Sequence, residues 1–227
     1  LWFKILMDSY DYLMAKADDR FVPCLRGLML PMDMANALRG NDFFSDIYEY
    51  PDETRVLLDF CSEAGKWFVL KQKQKIGTYY GGTMAAGFWL PGNSIGALSE
   101  DASVMCSPQT YSEFGLPYTG KILADYDQAF MHLHGAGSHA FSTILFSETI
   151  TCVEITNDPN QPRSIDLYRD FFDILQNRNV KLFVTPDEII DNINLLQKGK
   201  TVLWTNTENQ QKANELIAYV REKLPVR

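Results

Sequence analysis

The sequence is poor in three kinds of signal, and each scarcity excludes a class of protein. Its four cysteines are widely separated and form no CxxC pair, which argues against a zinc ribbon or a thioredoxin-type redox centre. No stretch approaches the roughly 20 apolar residues that cross a bilayer. The formal net charge is −8 and basic residues do not cluster, so a footprint for nucleic acid is missing. We predict a cytoplasmic protein with neither a nucleic-acid nor a membrane partner.

Histidine is also scarce, but its placement is informative. The chain has three histidines, and all lie between His132 and His139, where an apolar run meets a glycine-rich turn. Side chains of a β-strand alternate between faces, so His132 and His134 should point the same way near the end of a strand. Two adjacent imidazoles suit proton transfer, anion binding or metal coordination. The alternative is a hydrogen-bonded polar edge without function.

Apolar segments of four to six residues alternate with helical patterns, most regularly after residue 129. This alternation predicts an α/β fold with a parallel sheet. Residues 41–50 carry no clear periodicity, whereas Pro51 opens a long helix that reaches about Ile76. We predict six strands, near 21–29, 83–90, 129–134, 151–156, 180–184 and 201–205.

Six strands fit either a doubly wound sheet or part of a barrel. A doubly wound sheet usually has a glycine fingerprint after its first strand, and Gly27–Pro31 does not form a phosphate loop. The sequence also begins at Leu1 within a helical pattern, rather than before one. We therefore predict a single domain over residues 1–227, a TIM (β/α)8-type barrel lacking its first one or two βα units in this chain.

Three stretches together resemble the uroporphyrinogen decarboxylase superfamily. Val22–Gly40, followed by Ile47–Glu53, is similar to the family's strand, its "GP…L.G" turn and its "PE" helix start. Ser99–Tyr118 is similar to the "D…lSPe.y.ef..Py" segment. Phe130–Gly135 is similar to the "H.CG" strand, with His134 at the usual cysteine. The stretches follow the family's order over most of the chain, and the resemblance implies a TIM barrel and a homodimer.

The resemblance implies one of two activities. Zinc-dependent members transfer a methyl group between a corrinoid, free or on a protein, and a thiol or methylated substrate. For that activity His132, His134 and Glu154 would be the metal ligands, although the last strand has no cysteine. Other members decarboxylate a porphyrinogen, but Ala35 and Asn206 replace a tyrosine and a histidine of that branch. These departures leave open a third hypothesis, a catalytically silent homologue that binds a ligand.

Six further residues complete the predicted site. Asp101 could orient a histidine or a substrate amine, or could cap backbone amides of its loop. Asn157 and Asp158 directly follow a strand, where barrel enzymes place functional groups. An aromatic wall for a small-molecule tetrapyrrole or corrinoid is predicted, and its members could equally be plain core: Phe88, Trp89 and Tyr118.

Overall fold

The computed structural model describes residues 1–18 and 20–224. Its strands are β1 Leu28–Met29, β2 Gly82–Ala85, β3 Phe88–Pro91, β4 Ser94–Ser99, β5 Gln128–Leu133, β6 Ile150–Ile155, β7 Asn179–Phe183 and β8 Lys200–Trp204. Its helices are α1 Trp2–Ala17, α2 Pro31–Arg39, α3 Asp42–Glu49, α4 Pro51–Ile76, α5 Pro108–Phe114, α6 Leu116–Leu123, α7 Phe141–Ile144, α8 Ser164–Asp170, α9 Phe172–Leu175, α10 Pro186–Asp191, α11 Ile193–Leu196 and α12 Gln210–Lys223. Short 3₁₀ helices cover Asp101–Met105 and Gly135–Ala140.

The predicted α/β class with a parallel sheet is confirmed. Six strands pair in the order β1-β4-β5-β6-β7-β8, and every pair in that sheet is parallel. The order follows the chain and never reverses. A doubly wound sheet has a point where the strand order reverses, so this sheet is singly wound.

The two faces of the sheet carry different clusters, because successive side chains of a strand point to opposite faces. Met131 of β5 packs in the large core that also holds Tyr111 and Tyr168. Its neighbour Phe130 lies in a small second cluster with Leu90 and Cys152, joined by Phe88 and Ala97. The hairpin of β2 and β3 therefore covers part of the face opposite the large core.

The prediction of a sheet strand at residues 83–90 was wrong. The segment folds back at Ala86 and Gly87, both with positive φ, into an antiparallel hairpin outside the main sheet. Two such residues fit the type I′ turn that joins two strands tightly. The sheet strand of this region is β4, which we did not predict.

The structure also differs from the predicted bounds of other helices and strands. Residues 41–50, predicted as irregular, form α3, which buries Phe43 and Ile47 one turn apart. The strand predicted near 21–29 shrinks to β1, with an isolated bridge at Leu25. The helix predicted after Ser107 is divided at Gly115, and α6 begins at Leu116 with Pro117 in its first turn. The long helix α4 and the strands after residue 128 lie where they were predicted.

Within residues 1–18 and 20–224, no helix combines the length and apolar composition that a membrane crossing requires.

Candidate active site

The register of the parallel sheet builds a polar row across four strands. His132 of β5 is the direct neighbour of Ser99 on β4 and of Glu154 on β6. Glu154 in turn is the neighbour of Lys181 on β7. Residues aligned in register point to one face, so these four side chains share the face opposite the large core. The row lies toward the carboxyl ends of the strands, where α/β enzymes place their sites.

Glu154 joins His132 to Lys181. One carboxylate oxygen of Glu154 lies 2.6 Å from Nδ1 of His132, and the other accepts a hydrogen bond from the Lys181 ammonium. The Lys181 ammonium also lies over three aromatic rings, with 5.2 Å to Phe88, 4.7 Å to Phe183 and 4.9 Å to Trp204. Lys181 is only 8% exposed, so its charge is balanced by Glu154 and the ring faces rather than by bulk water.

His134, just beyond the end of β5, has a carboxylate of its own. Its Nδ1 lies 2.8 Å from Oδ1 of Asp158, and the other oxygen of Asp158 accepts the Ala136 N–H at 3.1 Å. The Thr156 hydroxyl also donates to Asp158, at 3.2 Å. Asp158 is thereby fixed from three sides, and it fixes the ring of His134.

The two histidines present their remaining nitrogens to each other. Nε2 of His132 lies 3.2 Å from Nε2 of His134, and the rings meet edge to face at 82°. If each Nδ1–H donates to its carboxylate, both Nε2 atoms carry lone pairs, which repel at this distance. A proton or a metal ion between the two nitrogens removes that repulsion. The geometry of the pair suits one proton or one metal ion between the two nitrogens.

The pKa shifts of three partly buried groups, His132, Glu154 and Asp158, agree with this arrangement. The hydrogen bond to Glu154 raises the pKa of His132, against a smaller opposing effect of burial. Burial raises the pKa of Glu154, but hydrogen bonds to His132 and Lys181 outweigh it and the net pKa is lowered. Burial also raises the pKa of Asp158, but hydrogen bonds, first among them the one to His134, outweigh it, and the net pKa is lowered. Both carboxylates are thus charged beside the imidazoles at neutral pH.

Asp101 stands at the open side of the pair. Its Oδ1 lies 3.5 Å from Nε2 of His134 and accepts a hydrogen bond of 2.6 Å from the Ser99 hydroxyl. Its side chain is 58% exposed. The structure thus places Asp101 beside the histidines, in a position that solvent or a substrate can reach.

Glu100, one residue earlier, was not predicted. It lines the same small pocket as Asp101, His132 and His134. Its oxygens accept hydrogen bonds from Tyr111 at 2.8 Å, from Thr119 at 2.7 Å and from the Met32 N–H at 2.9 Å. Burial raises the pKa of Glu100 to about 8, although these donors oppose the rise. A carboxyl group that holds a proton near neutral pH therefore lies at the wall of the histidine pocket.

The predicted aromatic wall does not come together. Phe88 packs in the small cluster on the histidine face, whereas Tyr118 packs in the large core. Trp89 follows Phe88 on a strand, and its indole N–H donates to the Tyr79 carbonyl at 2.8 Å. The three residues thus lie in three different environments.

Asn157 has a structural position. Its amide donates to the Phe183 carbonyl at 2.7 Å, and its side-chain oxygen accepts the Ser164 N–H at 2.7 Å. These bonds tie the end of β7 to the start of α8.

His139 does not join the pair of His132 and His134, since its Nε2 lies 2.8 Å from the Cys106 carbonyl.

The predicted zinc ligands are brought together only in part. His132 and His134 converge on one point, as two ligands must, and a carboxylate at each Nδ1 is the usual support of a metal-bound histidine. Glu154 lies at Nδ1 of His132, away from the nitrogen that faces His134. Among the residues that the structure describes, no group of three or more metal-ligating side chains is assembled. The donors therefore fit two positions of a zinc site.

Lys181 and Glu100 are the residues that sequence reasoning missed. Lys181 sits inside an apolar strand, and a lone charge in such a run indicates a position at which the charge is paired. Glu100 directly precedes Asp101, the carboxylate that the resemblance of Ser99–Tyr118 to a family segment made a candidate site residue. No sequence pattern distinguishes the buried carboxyl from the exposed one.

Comparison of the chain with protein-family models, with curated proteins and with solved structures finds no match.

Proposed function

We propose that the chain is a barrel of the uroporphyrinogen decarboxylase superfamily. The singly wound parallel sheet supports this, because a (β/α)8 barrel adds each strand beside the preceding one. The six sheet strands would be consecutive strands of such a barrel. The polar row at their carboxyl ends would then lie at the mouth, where barrel enzymes bind their substrates.

For the activity, we propose methyl transfer between a corrinoid and a thiol or methylated substrate. One observation carries this proposal: two imidazoles, each fixed by a carboxylate at Nδ1, direct their Nε2 atoms at each other from 3.2 Å. His132 and His134 would hold a zinc ion. When bound, zinc would act as a Lewis acid that lowers the pKa of a thiol.

The chain's own residues have separate tasks in this proposal. Glu154 and Asp158 hold the Nδ1 protons and so keep both Nε2 atoms free to bind. Lys181 balances the second oxygen of Glu154. Asp101, exposed beside His134, is placed to accept a proton or a cationic group from an entering substrate.

Titration of metal-free protein with Zn²⁺ or Co²⁺ tests the proposal. We expect one equivalent per chain, lost in His132→Ala and in His134→Ala. His139→Ala is the matched control, because this third histidine bonds a backbone carbonyl away from the pair. Binding that survives both pair variants, or that depends equally on His139, would contradict the assignment of the ligands.

Decarboxylation of a porphyrinogen is the second candidate, and a specific observation favours it. Decarboxylation replaces a carbon–carboxylate bond by a carbon–hydrogen bond, so a proton must be delivered to carbon. The Nε2 pair would hold that proton, and the carboxylates at the two Nδ1 atoms would stabilise the imidazolium. Uroporphyrinogen incubated with metal-free protein should then yield products with fewer carboxylates. Turnover abolished by His132→Ala would select this candidate over methyl transfer.

The third possibility, a silent ligand-binding homologue, predicts a different result. Such a protein would bind a tetrapyrrole or corrinoid and would neither bind metal at the pair nor turn over substrate. Equilibrium binding measured by the absorbance of the macrocycle distinguishes this outcome from the first two.

A further inference from the structure

Lys181 extends from β7 into the face of the sheet that also carries His132 and Glu154. Within residues 1–18 and 20–224, Glu154 provides the one protein oxygen that pairs with its ammonium. The faces of three aromatic rings lie around the same group, at 4.7 to 5.2 Å. A lysine ammonium has three N–H donors. Two of these donors therefore meet ring faces rather than an oxygen of the described chain.

A protonated Schiff base suits these surroundings better than an ammonium does. When a lysine condenses with an aldehyde or a ketone, the resulting iminium keeps one N–H and spreads its positive charge over nitrogen and carbon. One carboxylate oxygen satisfies that single donor, and ring faces attract a diffuse cation. Enzymes form such bonds through lysine, and burial is one way in which they prepare the lysine for it.

A carbonyl compound can approach Lys181 along β8. Val202 is the register neighbour of Lys181, and Trp204 is the register neighbour of Phe183. Residues aligned in register share a face. Val202 is 43% and Trp204 56% exposed, so the face that carries Lys181 is open to solvent at β8. The nitrogen of Lys181 is therefore shielded by its rings but lies next to an accessible surface.

We infer that Lys181 is a Schiff-base lysine, which binds an aldehyde or a ketone covalently as an iminium with Glu154 as its counter-ion. The nitrogen bonds to the carbonyl carbon, and the carbonyl oxygen leaves as water, so nothing is oxidised or reduced. Glu154 accepts one ammonium proton before the attack and returns it to the departing oxygen. A second proton moves from nitrogen to that oxygen after the addition. The third stays on nitrogen and faces Glu154.

The charges near Lys181 define the class of substrate. Glu154 already matches the charge of Lys181, and Asp158 adds a second carboxylate at the histidine pair. A substrate with its own carboxylate or phosphate would be repelled from this face, so the class is an uncharged aldehyde or ketone. The inference is separate from the methyl-transfer proposal, because it uses neither a metal ion nor the Nε2 atoms of the histidines.

Borohydride trapping of the metal-free full chain tests the inference. The protein is incubated with dihydroxyacetone, an uncharged ketone, and sodium borohydride then reduces any iminium to a stable secondary amine. Mass spectrometry of peptides locates the adduct. We expect about tenfold more adduct at Lys181 than at Lys200, because only Lys181 has the counter-ion and the rings in place. Lys200, exposed on the adjacent strand β8, is the internal control, since labelling that followed exposure alone would favour it.

Two variants separate the surroundings of Lys181 from general effects on the fold. Trp204→Leu removes an exposed ring and should reduce trapping about fivefold, whereas Trp2→Leu, an exposed tryptophan on α1, should not. Glu154→Gln removes the counter-ion and should reduce trapping about tenfold. Glu208→Gln makes the same charge change at an exposed position and is its control.

Three results would overturn the inference. The first is that dihydroxyacetone leaves no adduct at Lys181 in protein that remains folded by circular dichroism. The second is that Lys200 is labelled as strongly as Lys181. The third is that Trp204→Leu and Trp2→Leu trap the ketone equally well. Because zinc takes no part in the trapping, each result leaves the metal titration of the histidine pair to be judged separately.

Discussion

Two glutamates lie beside the histidine pair or its pocket, Glu154 partly buried and Glu100 buried, and their pKa values are shifted in opposite directions. Glu154 lies between the His132 imidazole and the Lys181 ammonium, and its pKa is lowered despite burial. Glu100 is 4% exposed and receives hydrogen bonds only from neutral donors, and burial raises its pKa to about 8. Burial disfavours the charge in both cases, so the charge of the partners decides the outcome. His132 therefore has a charged carboxylate at its Nδ1, whereas the pocket that His132 lines has a carboxyl group that keeps its proton at its wall.

Removing the cation from Glu154 should have the largest effect. Lys181→Met leaves a largely buried carboxylate with only the His132 imidazole beside it, and we expect the free energy of unfolding to fall by about 3–5 kcal/mol. Denaturant unfolding at neutral pH measures this loss. Lys181→Arg keeps the charge and should lose much less. Equal losses in the two variants would show that packing among the rings, rather than charge, is what Lys181 supplies.

Glu100 should make the stability of the folded protein depend on pH. Its pKa is about 8 in the folded protein against an ordinary value of 4.5, so the native state keeps a proton that the unfolded chain releases. This contribution to stability is fully present below pH 4.5 and is lost as pH rises toward 8, with a slope of up to about 1.4 kcal/mol per pH unit.

Glu100→Gln should remove that slope. We expect the unfolding free energy of the variant, relative to the unmodified chain, to rise steadily between pH 5 and pH 8. Chemical denaturation across this range measures the difference, and the exposed Glu49→Gln controls for the lost charge. A difference that does not change with pH would mean that Glu100 is already ionised in the folded state.

A smaller effect is expected from one of the neutral donors. Thr119→Val removes a hydrogen bond of 2.7 Å from Glu100 and should destabilise the protein by about 1–2 kcal/mol at neutral pH. It should also raise the pKa of Glu100 further, because that bond favours the charged form. Infrared spectroscopy of the protonated carboxyl, followed against pH, reports the shift. Thr149→Val, a half-buried threonine away from Glu100, is the matched control.

The smallest effect is expected at the exposed end of the site. Asp101→Asn should change the unfolding free energy by about 0.5 kcal/mol or less, because the side chain is 58% exposed and its pairing with His134 is long. Thermal unfolding measures this. If Asp101 serves a substrate, as proposed, the same variant should reduce activity while leaving stability intact. A large loss of stability would instead make Asp101 a structural residue.

The predictability of the fold differed between its two halves. After residue 128, each strand is bounded by turn residues and followed by an amphipathic helix, and local pattern suffices. Between Gly77 and Ser99, the same composition could form one strand or two. The hairpin β2–β3 depends on positive φ at Ala86, a residue that rarely marks a turn, and on packing of Leu90 against Phe130. The spacing of apolar residues along the chain reveals neither the backbone conformation of Ala86 nor this packing.

The sequence by itself predicted that His132 and His134 would lie together, because side chains of an extended chain alternate with a period of two. His134, one residue past β5, keeps an extended backbone, and the two Nε2 atoms meet at 3.2 Å. It also marked Asp158 as a residue that directly follows a strand. Only the tertiary structure decided which groups complete the site. The parallel register sets Glu154 between His132 and Lys181, and burial separates Glu100 from Asp101. Register and burial depend on contacts between distant segments, and no local pattern contains them.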